Sequence, residues 1–386
     1  MKIIYYEMRK CWLKITTFVV LIIFTGLSVI RMNDICRTKY SQTYGDLGEA
    51  YFRIYESLCG ELTEEKIAPF RQRAKELKDE VLDLVYSHEY QPEKYPYTGY
   101  AWGDFMLHNA EISPEITYCV TYPNKSNSIA TGAVDDYYFY AKVGNDFEAE
   151  KNAMIYRMFQ NRYIPEYRAT YWTYLFFQYD FSSLLCIVML ILGLSASFTS
   201  ERESGMFQLI TASGKMRKTV CAKIFSAAIY CAFLTVYFTL CDLISTHILL
   251  GIDGLNMPIY SAELLERSPF TFSFWTAIFM WVGVRFLALF SIALMILLIS
   301  NIAPNTIISM VGSFGISLIL ILLTAVSGSA FNPVCALVPN AYMEEFSVVN
   351  IFGQPVLTLF AAIIALAAEC IFLCVVVALS RRILRR

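Results

Sequence analysis

Hydrophobic residues run along this chain in six long blocks, separated by polar stretches of very unequal length. The blocks are Ile15–Ile30, Phe181–Thr199, Val220–Ile244, roughly Trp281–Ser300, Thr306–Val326 and Pro355–Ser380. A helix needs about twenty apolar residues to cross the hydrocarbon core, so each block predicts a transmembrane span. The first is the shortest, and its flanks complete the crossing. A cleaved signal peptide is the competing reading, but Gly26 to Ile30 lacks a small-residue cleavage pattern, so the span is read as retained. Before it, residues 1–14 are amphipathic and basic, with Tyr5, Tyr6 and Trp12 as anchors, and predict a helix lying on the membrane surface. An aromatic belt from Tyr171 to Tyr179 precedes the second span. Asn301 to Asn305, with Pro304, forms a tight turn between the fourth and fifth spans.

The long polar stretch, residues 32–172, is large enough for a core of its own. Phe70, Ala74, Leu77, Val81, Leu84 and Val85 recur at helical spacing, and Phe147, Ile155, Met158 and Phe159 suggest a second helix returning to the membrane. Between them the tyrosine-rich stretches Ile116–Tyr122 and Tyr137–Val143 predict strands, with Pro123 to Asn127 as a turn. The expected fold is therefore an all-α polytopic membrane protein with six transmembrane helices: span 1 at 15–31, an extracytoplasmic α+β domain at 32–172, and the membrane domain at 173–386.

Charge sets the orientation. Met32 to Tyr179 holds 22 acidic and 15 basic residues. The N-terminus carries Lys2, Arg9, Lys10 and Lys14, the loop after the second span carries Arg202, Lys215, Arg217 and Lys218, and the chain ends on Arg381, Arg382, Arg385 and Arg386. Six spans place these three segments on one side, and the excess of Lys and Arg makes that side cytoplasmic. The expectation is a multi-pass plasma-membrane protein, both termini inside, of bacterial source. The hydrophobic fraction of 56% fits the membrane class.

Enzyme chemistry has little to stand on. His88-Glu89 lacks the second histidine of a zinc protease, and no Cys/His metal spacing occurs. Gly214-Lys215 imitates a phosphate loop, but Leu209 stands where the leading glycine belongs and Met216 replaces the magnesium-binding hydroxyl. No basic patch interleaved with aromatics supports nucleic-acid binding. Of the 11 cysteines, about half fall in spans. A disulfide among Cys36, Cys59, Cys119 and Cys335 stays open.

Two features carry functional content. Ser200 to Lys223 is a charged segment wedged between apolar spans. Ser200 and Glu203 have capping-box spacing, Met206, Phe207, Leu209 and Ile210 form a compact apolar set, and Gly214 supplies a helix stop. A helix over 201–213 is expected. A solvated loop whose charges merely enforce topology explains the basic residues but not that apolar set. Deep in the membrane, Arg285 and Glu369 are expected at similar depth, which suggests an ion pair between the fourth and sixth spans. The alternatives are a snorkelling Arg285 and a protonated or interface-facing Glu369. Asp242 is expected near the outer boundary, in contact with solvent.

Glu201-x-Glu203-x-Gly205, the short apolar helix, Thr211-x-x-Gly214-Lys215-x-Arg217 and then Ala222-Lys223 entering a span resemble the first cytoplasmic loop of type-2 ABC exporter permeases. Tyr6-Glu7-x-x-Lys10 before span 1 is similar to the same family, as is the six-span layout. The resemblance implies that Glu201, Glu203, Gly205, Phe207, Leu209, Gly214, Lys215 and Arg217 form a coupling helix docking on a separate ABC-type ATPase subunit. It implies that ATP and Mg2+ are bound by that partner, with no cofactor on this chain, and that a second permease chain completes a homo- or heterodimer in the lipid bilayer. Residues 327–354 would hold short re-entrant helices. The rival class is a membrane-anchored sensor or immunity protein whose outer domain binds a peptide or envelope ligand.

Overall fold

The structure is a computed structural model that describes residues 2–39, 46–87, 101–214, 216–327 and 330–383. His88, Glu89, Lys215 and the last two arginines lie outside the described residues. Among those described, six helical segments are long and apolar enough to cross a membrane: Ile15–Thr38, Tyr171–Glu203, Met216–Leu250, Phe274–Ile302, Thr306–Val326 and Thr358–Ser380. They fall on the six apolar blocks and mostly run beyond them.

The chain opens with α1 (Lys2–Cys11), bends through Trp12 to Lys14 and enters span 1 as α2 (Ile15–Lys39). Span 2 is built from α8 (Tyr171–Gln178) and α9 (Phe181–Leu194), followed by the short helices α10 (Thr199–Glu203) and α11 (Met206–Ala212). Spans 3 to 6 are α12 (Met216–Leu250), α13 (Phe274–Ile302), α14 (Thr306–Ser327) and α15 (Thr358–Ile383). The bundle centres on α13, which packs against α9, α12, α14 and α15. Along α13, Val284, Ala288, Leu289, Ile292, Ala293, Ile296 and Leu297 are all buried. Spans 1, 5 and 6 keep apolar residues such as Ile22, Val311, Leu318, Ile364 and Phe372 on the outside of the bundle, the surface that lipid or another helix covers. Hydroxyl pairs fasten span 1 to its neighbours: Thr25 Oγ1 lies 2.9 Å from the Tyr237 hydroxyl and Ser28 Oγ 2.9 Å from that of Tyr179. Such hydrogen bonds help hold helices together where the surroundings are apolar.

The end of the bundle bearing α1, α10 and α11 is termed basal, and the opposite end distal. At the distal end, the described residues of the stretch expected to be α+β form helices joined by irregular segments, with one isolated bridge between Gly60 and Tyr167 in place of the expected strands. The helices are α3 (Asp46–Leu58), α4 (Glu64–Tyr86), α5 (Ala101–Phe105) continuing through a π-helical stretch to Ile112, α6 (Ser113–Lys142) and α7 (Asp146–Phe159). The α4 stripe is as expected from Phe70 to Val81, whereas Val85 is exposed. The expected strands at Ile116–Tyr122 and Tyr137–Val143, and the turn at Pro123 to Asn127, are instead continuous α6. Tyr118, Tyr122, Ser126, Ala130 and Ala133 lie buried along one helix face. The small residues in that row let α7 approach closely, and Ser126 Oγ donates to the Phe159 carbonyl at 2.5 Å. Tertiary packing has overridden β propensity here. Among the described residues, the strands are β1 (Val348–Ile351) and β2 (Gln354–Leu357), an antiparallel hairpin just before span 6. Its turn residues Phe352 and Gly353 both have positive φ, as a type I′ hairpin requires.

The distal domain is bolted to the loop between spans 3 and 4. Arg162 is buried and donates to the carbonyls of Ser268 at 2.7 Å and Pro269 at 2.9 Å. The Tyr118 hydroxyl donates to the Tyr260 carbonyl at 2.6 Å. Tyr55 and Arg168 both reach the Asp253 carboxylate.

Candidate functional site

Three segments far apart in sequence meet at the basal end around one buried lysine. Lys223, near the start of α12, is fully buried, and its Nζ donates to Glu7 of α1 at 2.7 Å and to the Ser197 carbonyl at 2.7 Å. Its ammonium also pairs with Glu201 of α10 at 2.7 Å. Lys10 approaches the same Glu201 oxygen at 3.0 Å. Two cations thus face two carboxylates, so the cluster is neutral, the condition under which buried charge is tolerated. The Phe198 ring lies beneath Lys223, 5.0 Å from its ammonium. Beside the cluster, Trp12 stacks on Tyr230 at 4.8 Å and donates from Nε1 to Ser226 Oγ at 3.3 Å. α1 is therefore fixed to span 3 and to the loop by charge and by ring packing together.

The next two residues of α10 grip the turn between spans 4 and 5. Arg202 donates to the carbonyls of Asn301, Ile302 and Ala303 at the C-terminus of α13. Glu203 accepts from the Thr306 amide at 2.7 Å and from its hydroxyl at 2.9 Å, at the N-terminus of α14. Each charge opposes the helix dipole at the end it caps. Nearby, Thr199 and Thr306 hydroxyls lie 2.9 Å apart, and Ser309 Oγ donates to the Ser195 carbonyl at 2.7 Å.

These contacts correct the expected helix over 201–213. Gly205 takes φ +71, which splits the segment into α10 and α11, and Gly214 at φ +67 ends the second piece. The Ser200–Glu203 capping box does not form, because the Glu203 carboxylate caps α14 instead of its own helix, and the buried Ser200 hydroxyl has no hydrogen-bond partner among the described residues. Glu201, expected on a docking face, is buried. What remains outside is α11, in which no residue is buried: Met206 is 40% and Leu209 69% exposed, with Phe207 and Ile210 half-buried. Arg217 is exposed just beyond. An exposed apolar helix thus stands on a base that is joined to α1 and to spans 2 to 5.

The intramembrane pair is also corrected. Arg285 is fully buried and faces Asp242 of α12 at 3.7 Å, not Glu369. Its guanidinium donates to Thr239 Oγ1 at 3.1 Å and Ser182 Oγ at 3.0 Å, and lies over the Trp281 ring at 4.8 Å. Ser182 in turn donates to Asp242 at 2.6 Å. Asp242, expected in solvent, is buried because α12 continues to Leu250. Glu369 sits half-buried on α15, against Ser291 of α13. Ser291 lies six residues, about 9 Å, further along α13 than Arg285 and about 240° around the helix from it, so neither the depth nor the facing of the expected pair is met.

Glu7, Lys10, Lys223 and Asp242 were missing from the expected site. The signal for the first two was the Glu7-x-x-Lys10 spacing, and for Lys223 a lone cation entering an apolar span. Cys36, Cys59, Cys119 and Cys335 are free thiols. Among the described residues, no three His, Cys, Asp or Glu side chains converge to hold a metal ion. No family model matches the chain, and neither a curated protein nor a solved structure matches it.

Proposed function

We propose that this chain is the permease subunit of an ATP-driven exporter, and that α11 is the element through which a separate ABC-type ATPase moves it. The observation that supports this reading is an apolar helix left outside the bundle and mounted on a base with buried charges. A protruding helix with Met206 and Leu209 outward suits insertion into a partner's cleft. Its base suits the transmission of a push. Displacing α11 would carry α10 with it, and the Arg202 and Glu203 clamps would pass the motion to spans 4 and 5. Lys223, Glu201 and Glu7 would pass it to span 3 and α1. Rigid-body tilting of packed helices is one way alternating access is produced.

In this reading the basal end is cytoplasmic, in keeping with its basic residues, and the distal domain is extracytoplasmic. ATP and Mg2+ belong to the ATPase chain. The outward apolar faces of spans 1, 5 and 6 are available to lipid and to a second permease chain.

The test is purification of the tagged full chain in mild detergent. The expected companion is an ABC-type ATPase in stoichiometric amount, lost on Leu209→Asp or Phe207→Asp without a change in thermal unfolding. Purification in two detergents with no nucleotide-hydrolysing chain would overturn the reading in favour of a sensor or immunity protein acting through its distal domain.

A further inference from the structure

Between the α6–α7 pair and the hairpin that leads into span 6 lies a cavity of about 880 Å³. α6 lends it Tyr137 and Tyr138, α7 lends Glu150, Tyr156 and Arg157, and β2 lends Pro355. The three tyrosines stay open to the outside, Tyr137 at 37%, Tyr138 at 68% and Tyr156 at 40% exposure. The rings of Tyr137 and Tyr138 meet edge to face at 5.4 Å. Glu150 and Arg157 lie two turns apart on one face of α7, about 10 Å from each other along its axis. Both are exposed, so each charge is open to a ligand.

Span 6 sets the level of this cavity in the bilayer. Its apolar stretch, Thr358–Ser380, has 23 residues. That is about 34 Å of helix, just enough to cover a hydrocarbon core of roughly 30 Å. Thr358 therefore stands at the distal boundary of the core. Pro355, three residues earlier, is within about 11 Å of that boundary, the level that lipid headgroups occupy. Further along α15, Phe360, Ile364 and Ile371 are exposed and lie within about 40° of one another around the helix, a surface for acyl chains. At the hairpin tip, three residues before Pro355, Phe352 has φ +52 and is fully exposed. Bulky residues are uncommon in that conformation, and here it holds an aromatic ring outward beside the cavity.

We propose that this cavity binds the headgroup of a zwitterionic phospholipid of the distal leaflet, with Arg157 on its phosphate and Glu150 and the three tyrosine rings around its ammonium. A guanidinium pairs with phosphate through parallel charge-assisted hydrogen bonds. Tyrosine faces attract an ammonium, and several rings around one cation act as a cage. One cation and one anion on the wall match the two charges of such a headgroup, whereas an anionic headgroup would bring like charge to Glu150. A free amine or a free phosphate would use only half of the wall, and the level of the cavity selects a lipid. The inference rests on the membrane-spanning architecture and stands apart from the coupling reading, since the two sites share no residue.

Native mass spectrometry of the full chain in detergent tests it, with titration by phosphatidylethanolamine and, separately, by phosphatidylglycerol carrying the same acyl chains. The first phosphatidylethanolamine is expected to bind about fivefold or more tightly than the first phosphatidylglycerol, the worth of the ammonium's contacts with the rings. Arg157→Gln and Tyr138→Ala are both at exposed positions that leave the fold alone. The first is expected to weaken phosphatidylethanolamine about tenfold, and the second about threefold with phosphatidylglycerol unchanged. Leu318→Ala, on the outward face of span 5, should alter neither lipid. Equal affinity for the two lipids, or an unchanged phosphatidylethanolamine affinity in either cavity variant, would overturn the proposal. So would competition by free phosphoethanolamine as strong as that of the lipid, which would make the ligand a soluble one. A dimer that Tyr138→Ala dissociates would also overturn it, by making a second copy of the chain the occupant.

Discussion

Replacing Lys223 by Met removes one cation from the neutral basal cluster while keeping the length and apolar stem of the side chain. Glu7 and Glu201, each 2.7 Å from the lost ammonium, are then left buried with Lys10, which is part-exposed. Stranding one charge of a buried pair costs about 3–5 kcal/mol, and the Ser197 carbonyl also loses its donor. Adding Glu7→Gln returns the cluster to one cation and one anion, Lys10 and Glu201, already 3.0 Å apart. The double variant is therefore expected to be more stable than Lys223→Met alone, recovering about 2 kcal/mol. The assay is reversible unfolding of the four proteins of this cycle in mixed micelles, followed by tryptophan fluorescence. A loss below about 1 kcal/mol for Lys223→Met, or additivity of the two changes within about 0.5 kcal/mol, would refute the claim that these residues act as one unit.

The same logic applies deep in the bundle. Asp242→Asn is expected to destabilise by about 3 kcal/mol by leaving Arg285 uncompensated, and Arg285→Met to restore part of the loss, whereas Glu369→Gln should show no coupling to Arg285 in the same unfolding assay. At Gly193 an added Cβ would lie 2.6 Å from the Tyr230 ring. Gly193→Ala should accordingly cost about 1–3 kcal/mol of overpacking, with Tyr230→Leu relieving it in a thermal-unfolding series. Glu115, pushed up to about 7 by burial, binds a proton more tightly in the folded chain than in the unfolded one. Its contribution to stability should therefore be greatest at acid pH and fall as pH rises from about 4.5 through 7, by on the order of 2 kcal/mol after allowance for solvent screening. Unfolding at several pH values should show that slope in the wild type and its loss in Glu115→Gln.

The membrane part was legible because burial in lipid leaves a strong mark: long uncharged runs and basic flanks locate spans without knowledge of their neighbours. The basal site was partly legible. Its loop declared itself by charge and glycine placement, but whether Glu203 caps its own helix or that of another span depends on a contact about a hundred residues away in sequence. Counting residues from the span ends put Arg285 and Glu369 at like depth, but Glu369 sits beside Ser291, six residues further along α13 than Arg285, because the register and facing between helices are set by packing. Asp242 was misplaced because the polar residues His247 and Thr246 hid the continuation of α12 to Leu250. In the distal domain, β-prone tyrosines and Pro123 outweighed the four-residue recurrence of Tyr118, Tyr122, Ser126 and Ala130 that marks the buried face of α6. That recurrence was the available signal, and small residues within it foretold the close approach of α7.

The central claim is that α11 meets an ATPase, and photo-crosslinking in native membranes tests it most directly. A photoreactive amino acid placed at position 209, in the wild-type chain otherwise, should yield one major adduct with a nucleotide-binding ATPase chain, and the same group at the membrane-facing position 318 should yield none with that partner. An unadducted chain at position 209, or adducts shared equally by both positions, would contradict the account.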